Sequence, residues 1–150
     1  MASRWKVLVA TLAVPLAMAA AAQSASAAQS ATAPLVYRGT GTLRAGSVTF
    51  KSAAMWNVNR WSKGRYALFG RIAQVSAATP RWNVYRGRAT AGYVSMGPLS
   101  RWRIYRAGRL VGYTRLVAGR WWVYRGTLRV GSVTASPGAP AAGAGLLLLI

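Results

Sequence analysis

Between Pro34 and Thr134 the chain runs in short stretches of alternating apolar and polar residues, broken at regular intervals by glycine, and one phrase recurs. Trp82-Asn83-Val84-Tyr85-Arg86 leads to Gly92-Tyr93-Val94, and Trp102-Arg103-Ile104-Tyr105-Arg106 leads to Gly112-Tyr113-Thr114. Trp121-Trp122-Val123-Tyr124-Arg125 leads to Gly131-Ser132-Val133, and in all three the glycine stands ten residues after the first tryptophan. The first copy, Val36-Tyr37-Arg38-Gly39 through Gly46-Ser47-Val48-Thr49, matches the last, Val123-Tyr124-Arg125-Gly126 through Gly131-Ser132-Val133-Thr134, apart from a two-residue insertion. A second copy, from Trp56-Asn57-Val58-Asn59-Arg60 to Phe69-Gly70-Arg71-Ile72, has a longer loop and is the most degenerate, so the body holds five units.

A period of two marks strands, and β-branched and aromatic residues on either side of a Gly-bearing turn, as at Arg106-Ala107-Gly108-Arg109 or Arg86-Gly87-Arg88, mark hairpins. The glycines are expected to be turn residues, where they supply positive φ. Alternation sends Trp102, Ile104 and Arg106 to one face and Arg103 and Tyr105 to the other. The same split recurs at Trp82/Val84 against Asn83/Tyr85 and at Trp121/Val123 against Trp122/Tyr124. The Trp and aliphatic face suits a core, and the Tyr-bearing face suits partial exposure. A lone hairpin is marginal in water, so neighbouring units must associate. The expected fold is all-β: five β-hairpin repeats, about ten short antiparallel strands in a meander, open or closed into a small barrel. Near-identity of the first and last units suggests that the two ends pair and close the sheet.

The flanks differ from the body. Met1 to Ala27 has a basic start at Arg4 and Lys6, an apolar run, and small residues ending in Ala25-Ser26-Ala27, the pattern of a cleavable signal peptide. Residues 28–34 read as a flexible lead-in and 35–135 as the repeat domain. Residues 136–150 read as a Pro/Ala/Gly linker with a short apolar tail, Leu146 to Ile150. Five apolar residues cannot span a bilayer, which takes about twenty. The expectation is a disordered tail with a sticky end, or an end that touches a membrane or once belonged to a longer anchor.

Charge narrows the function. Lys and Arg number 20 and Asp and Glu number zero, where an average domain mixes both signs. Loss of Arg4 and Lys6 with the leader lowers +20 to +18. Like charges on a compact body repel one another and attract polyanions, and arginine suits planar contacts with phosphate or carboxylate. Histidine and cysteine are absent as well, which removes the usual general acids and bases, thiolate nucleophiles and metal ligands. No phosphate-binding glycine loop is present, and Ser62-Lys63 or Ser47 with Lys51 lacks a supporting constellation. No enzyme activity, cofactor or metal is expected.

What does recur is the Tyr-Arg step, at Tyr37-Arg38, Tyr85-Arg86, Tyr105-Arg106 and Tyr124-Arg125, with Arg103 and Arg120 nearby. These ten residues are the candidate polyanion-binding set, cations and ring faces that can engage phosphates, bases, sugars or headgroups. Some of the arginines can serve the protein's own rings instead. Tyr105-Arg106-Ala107-Gly108-Arg109-Leu110-Val111 resembles the tyrosine–aspartate hairpin repeat of bacterial Rhs proteins, with Arg where that repeat has Asp. The aromatic and glycine period is also similar to the choline- and glucan-binding repeats of secreted cell-wall proteins. The first likeness implies an encapsulating shell, for which the chain is too short, and the second implies noncovalent attachment to an envelope polymer. The leading expectation is a secreted or envelope-associated module that binds an anionic polymer or anionic membrane surface. Alternatives are a membrane-active, antimicrobial-like protein, or a structural surface protein that self-associates through sheet edges. A chain without acids is also what an out-of-frame reading of a GC-rich repetitive gene yields, which codon periodicity distinguishes.

Overall fold

The computed structural model describes residues 33–134 and 136–150; the predicted signal peptide lies outside the described residues. Ten antiparallel strands follow in order: β1 (Leu35–Arg38), β2 (Leu43–Ser52), β3 (Met55–Ser62), β4 (Arg65–Ser76), β5 (Thr79–Arg86), β6 (Ala89–Met96), β7 (Trp102–Arg106), β8 (Arg109–Val117), β9 (Arg120–Arg125) and β10 (Leu128–Thr134). Each pairs with its sequence neighbours, and β1 pairs with β10 through Val36↔Val133, Tyr37↔Ser132 and Arg38↔Gly131, so the meander is a closed barrel. The two near-identical end units are the ones that meet. Among the described residues, closure leaves none of the ten strands as a free sheet edge.

Local chemistry supports this path. At Lys63-Gly64, Ala107-Gly108 and Ala118-Gly119 both turn residues hold positive φ, the conformation of the tight turn whose twist matches flanking strands. Each of the five repeat hairpins also contains one register shift, which leaves Ala45, Phe69, Ala91, Val111 and Val130 without a cross-strand partner. Bulges of this kind bend and coil a strand, and a regular set of them curls a sheet toward closure. The unpaired residues pack inward against the core.

A fully buried residue from each strand contributes to a ring around the interior: Val36, Val48, Val58, Ile72, Val84, Val94, Ile104, Thr114, Val123 and Val133. Alternation therefore points the Trp and aliphatic face inward, as its pattern implied. The barrel has two unlike mouths. Hairpin tips within the repeats make one, where β1, β5, β7 and β9 end at Arg38, Arg86, Arg106 and Arg125 and β3 carries Arg60 two residues before its end at Ser62. Turns between repeats make the other, beside Trp56, Trp82, Trp102 and Trp121.

The C-terminal segment departs from its predicted behaviour. Gly138–Leu148 forms a helix, α1, that touches all ten strands and is buried along nearly its whole length, so it fills the lumen. It enters at the tryptophan mouth, where Trp121 Nε1 donates to the Ser136 carbonyl at 2.7 Å. The linker composition and the sticky end are a plug. A helix this short is marginal alone, and one apolar on every side needs a partner on every side, which a barrel interior supplies.

Five glycines also depart from the turn role expected of them. Gly46, Gly70, Gly92, Gly112 and Gly131 lie inside β2, β4, β6, β8 and β10, one per repeat, and face the plug. A Cβ on Gly92 would stand 2.0 Å from the Tyr105 carbonyl oxygen and 2.8 Å from a Leu146 methyl. The other four are crowded in the same way by the next repeat's backbone and, in order, by Leu148, Leu147, Ile150 and Leu149. Five consecutive tail side chains thus seat in five equivalent notches.

Candidate functional site

The residues of the Tyr-Arg step are adjacent in sequence but lie on different faces of the sheet, because neighbours on a strand face opposite ways. Arg38, Arg86, Arg106 and Arg125 sit on the inward face at one mouth, and Arg60 completes the ring as the fifth. All five are exposed. The helix leaves its last carbonyls pointing into this ring, where partial negative charge collects. Arg106 Nη2 donates to the Leu146 carbonyl at 3.2 Å and Arg38 Nη2 to that of Leu148 at 3.3 Å. Arg60 and Arg86 both lie over the Phe69 ring, at 5.0 and 4.8 Å. Arg109, cross-strand from Arg106, and Arg88 at the β5–β6 tip add further charge at this mouth.

Tyr37, Tyr85, Tyr105 and Tyr124 lie on the outer wall. Tyr105 stacks on Tyr93 at 4.6 Å and Tyr124 on Tyr113 at 4.9 Å, nearly parallel in both cases. These pairs join neighbouring repeats, since Tyr93 and Tyr113 follow the notch glycines Gly92 and Gly112. Cations flank the stacks: Arg81 lies 3.9 Å from the Tyr93 centroid and Arg101 lies 5.3 Å from that of Tyr113. Arg103 faces Tyr113 across the hairpin and extends the row Tyr124, Tyr113, Arg103. Arg71 lies over Tyr85 at 5.0 Å, and Arg120 is shared between Tyr37 at 5.8 Å and Trp122 at 5.7 Å. Arg129 lies 4.2 Å from the Trp122 centroid. The wall is therefore a ladder of rings with guanidinium groups on them, in which cations are already positioned but none meets a carboxylate.

Two predicted groups thus separate into a mouth ring and a wall ladder. Arg60 lacks the Tyr-Arg signature because its unit carries Asn59 where the others carry Tyr. Arg71, Tyr93 and Tyr113 share a readable signal, the position directly after the notch glycine. Beneath the wall, Asn59 Nδ2 reaches Thr49 Oγ1 at 3.2 Å, and Ser132 Oγ is buried without a partner under the aromatic layer. No family model, curated protein or solved structure matches the chain.

Proposed function

We propose that this protein is a cationic binding module for anionic polymers, working outside the cell or at the envelope, with the arginine mouth and the outer wall as its contact surfaces. The observation that carries the reading is the ring of five inward arginines in a chain with no side-chain carboxylate to neutralise them. Self-repulsion within such a ring is relieved when an external anion enters it. Arginines held over rings on the wall lose less freedom on contact with a phosphate or carboxylate than free side chains do, and this preorganisation favours binding. The ladder offers cations at a regular repeat spacing, which suits a polymer better than a single small ligand. Nothing in the arrangement selects one base or one sugar, so recognition is by charge.

The test is a salt titration of binding to polyphosphate, an acidic polysaccharide and single-stranded DNA. A contact with about six phosphates lowers affinity roughly a thousandfold between 50 and 200 mM salt. Replacing Arg88, Arg109 and Arg125 with Gln, which spares the two arginines bonded to the helix end, lowers both the affinity and the slope against salt. Salt-independent binding, or none to any of the three at low salt, overturns the proposal.

A further inference from the structure

The mouth opposite the arginine ring has a different chemistry. Phe50 meets Trp56 edge to face at 5.2 Å, Met96 faces Trp102 across the sheet, and Leu116 faces Trp121. Phe50, Met96 and Leu116 are nevertheless 42%, 52% and 52% exposed. The connection from β6 to β7 is longer than the other turns at this end and contains a 3₁₀ turn at Pro98–Ser100. Leu99 and Ser100 hold φ of +57° and +53° there, and Leu99 is 82% exposed. Backbone strain of this kind persists only where the surroundings enforce it, and here it holds a leucine out in solvent. Val75 and Val117, at the same end, are exposed too. Lys51, Arg101, Arg115 and Arg120 stand at this end on the strands or turns that carry these side chains.

We infer that the tryptophan mouth docks on an anionic lipid bilayer, with the barrel standing on the membrane and the arginine mouth turned away from it. An apolar rim of Phe50, Met96, Leu99 and Leu116, seated on buried and half-buried tryptophans and collared by cations, matches the chemistry of a headgroup layer over acyl chains. A second copy of the chain is a poor occupant, because two bodies of the same large positive charge repel. A soluble polymer offers no apolar depth for Leu99, Met96 and Leu116. Of the exposed leucines at the other mouth, Leu43 and Leu128 lie directly across from Arg38 and Arg125, and Leu68 and Leu110 across from Asn59 and Tyr105, beside the ring of arginines.

Docking stops at the rim. Arg71, Arg103 and Asn83 lie on the outer wall above it, and an arginine facing hydrocarbon is costly. Among the described residues no helix is long and apolar enough to cross a membrane. The lumen is occupied by α1, so the docked barrel forms no channel.

The experiment uses the full chain carrying Trp5→Phe, with vesicles of zwitterionic lipid alone or mixed with anionic lipid, some brominated along the acyl chain. Binding to the mixed vesicles only, with tryptophan fluorescence quenched most by shallow bromines and with no release of entrapped dye, is the expected result. The triple variant M96S/L99S/L116S keeps its affinity for polyphosphate and loses vesicle affinity by at least about tenfold. Equal vesicle binding by this variant, or dye release on binding, overturns the inference. Because the variant leaves the arginine mouth intact, failure of polymer binding and failure of membrane docking are read separately.

Discussion

The two halves of the lumen solve one packing problem in opposite ways. Near its middle the wall is bulky and the helix is small: Gly143 lies against Ile72, and Gly145 against Val123. Toward the arginine mouth the wall is glycine and the helix is bulky, with Leu146 through Ile150 in the notches of β6, β4, β2, β10 and β8. Large meets small at each of these contacts, the complementarity that close packing of an interior requires. The two halves differ in what resists change. In the first, a substitution meets a side chain that can move. In the second, it meets the backbone of the adjoining strand as well.

Removing Leu146–Ile150 tests the second half most severely. Five partly or fully buried side chains contribute roughly 5–10 kcal/mol, comparable with the whole stability of an ordinary domain. The truncated chain is expected to lose its cooperative thermal transition and to bind a hydrophobic dye, as calorimetry and dye fluorescence would register. Gly92→Val is next, at about 3 kcal/mol, since its Cβ cannot avoid the Tyr105 carbonyl unless β6 and β7 part. Urea unfolding measures this, and adding Leu146→Ala should not restore stability if the backbone is the obstacle.

Gly143→Ala probes the first half, where the new methyl meets the Ile72 Cδ1 methyl and Cγ1. A loss of about 1–2 kcal/mol is expected, and Ile72→Val should recover part of it. A double-mutant cycle without coupling would mean that the two halves do not differ as described. The smallest effect belongs to Thr114, the polar member of the interior ring, whose Oγ1 is fully buried with no partner. Replacing it with valine removes an unsatisfied hydroxyl at nearly constant volume, so a gain of about 1 kcal/mol is expected by the same unfolding measurement.

The mouths extend the comparison to the surface. Arginines at one end converge on the helix carbonyls, while tryptophans at the other admit the chain from β10 into the lumen. Both sets occupy the inward face of the same strands, at opposite ends of one phrase such as Trp102-Arg103-Ile104-Tyr105-Arg106. Five units arranged around an axis, four opening the phrase on tryptophan and closing it on arginine and the first with Pro34 in place of the tryptophan, convert a gradient along five residues into a molecule with two unlike ends.

Much of this was legible beforehand. The repeat marked ten strands, period-two alternation separated Val84 from Tyr85, and the matching end units pointed to closure. The wall stacks were half visible, as tyrosines at fixed positions without their partners. A degenerate copy hides Arg60, and the notch glycines read as turn residues because local sequence does not distinguish a glycine that relaxes a turn from one that admits a distant side chain. The plug was hidden for a stronger reason. Amphipathic periodicity reveals a helix that has one buried face, and α1 is buried on nearly every side.

By itself, then, the sequence determined what depends on near neighbours and on composition: strand faces, hairpin turns, repeat number, and a positive field without internal counter-charge. The tertiary structure decided what depends on matched volumes far apart in the chain. Gly46 and Leu148, separated by a hundred residues, acquire their meaning only when the barrel closes around the tail. Packing at that range is a property of the assembled lumen, and no window along the chain contains both halves of the fit.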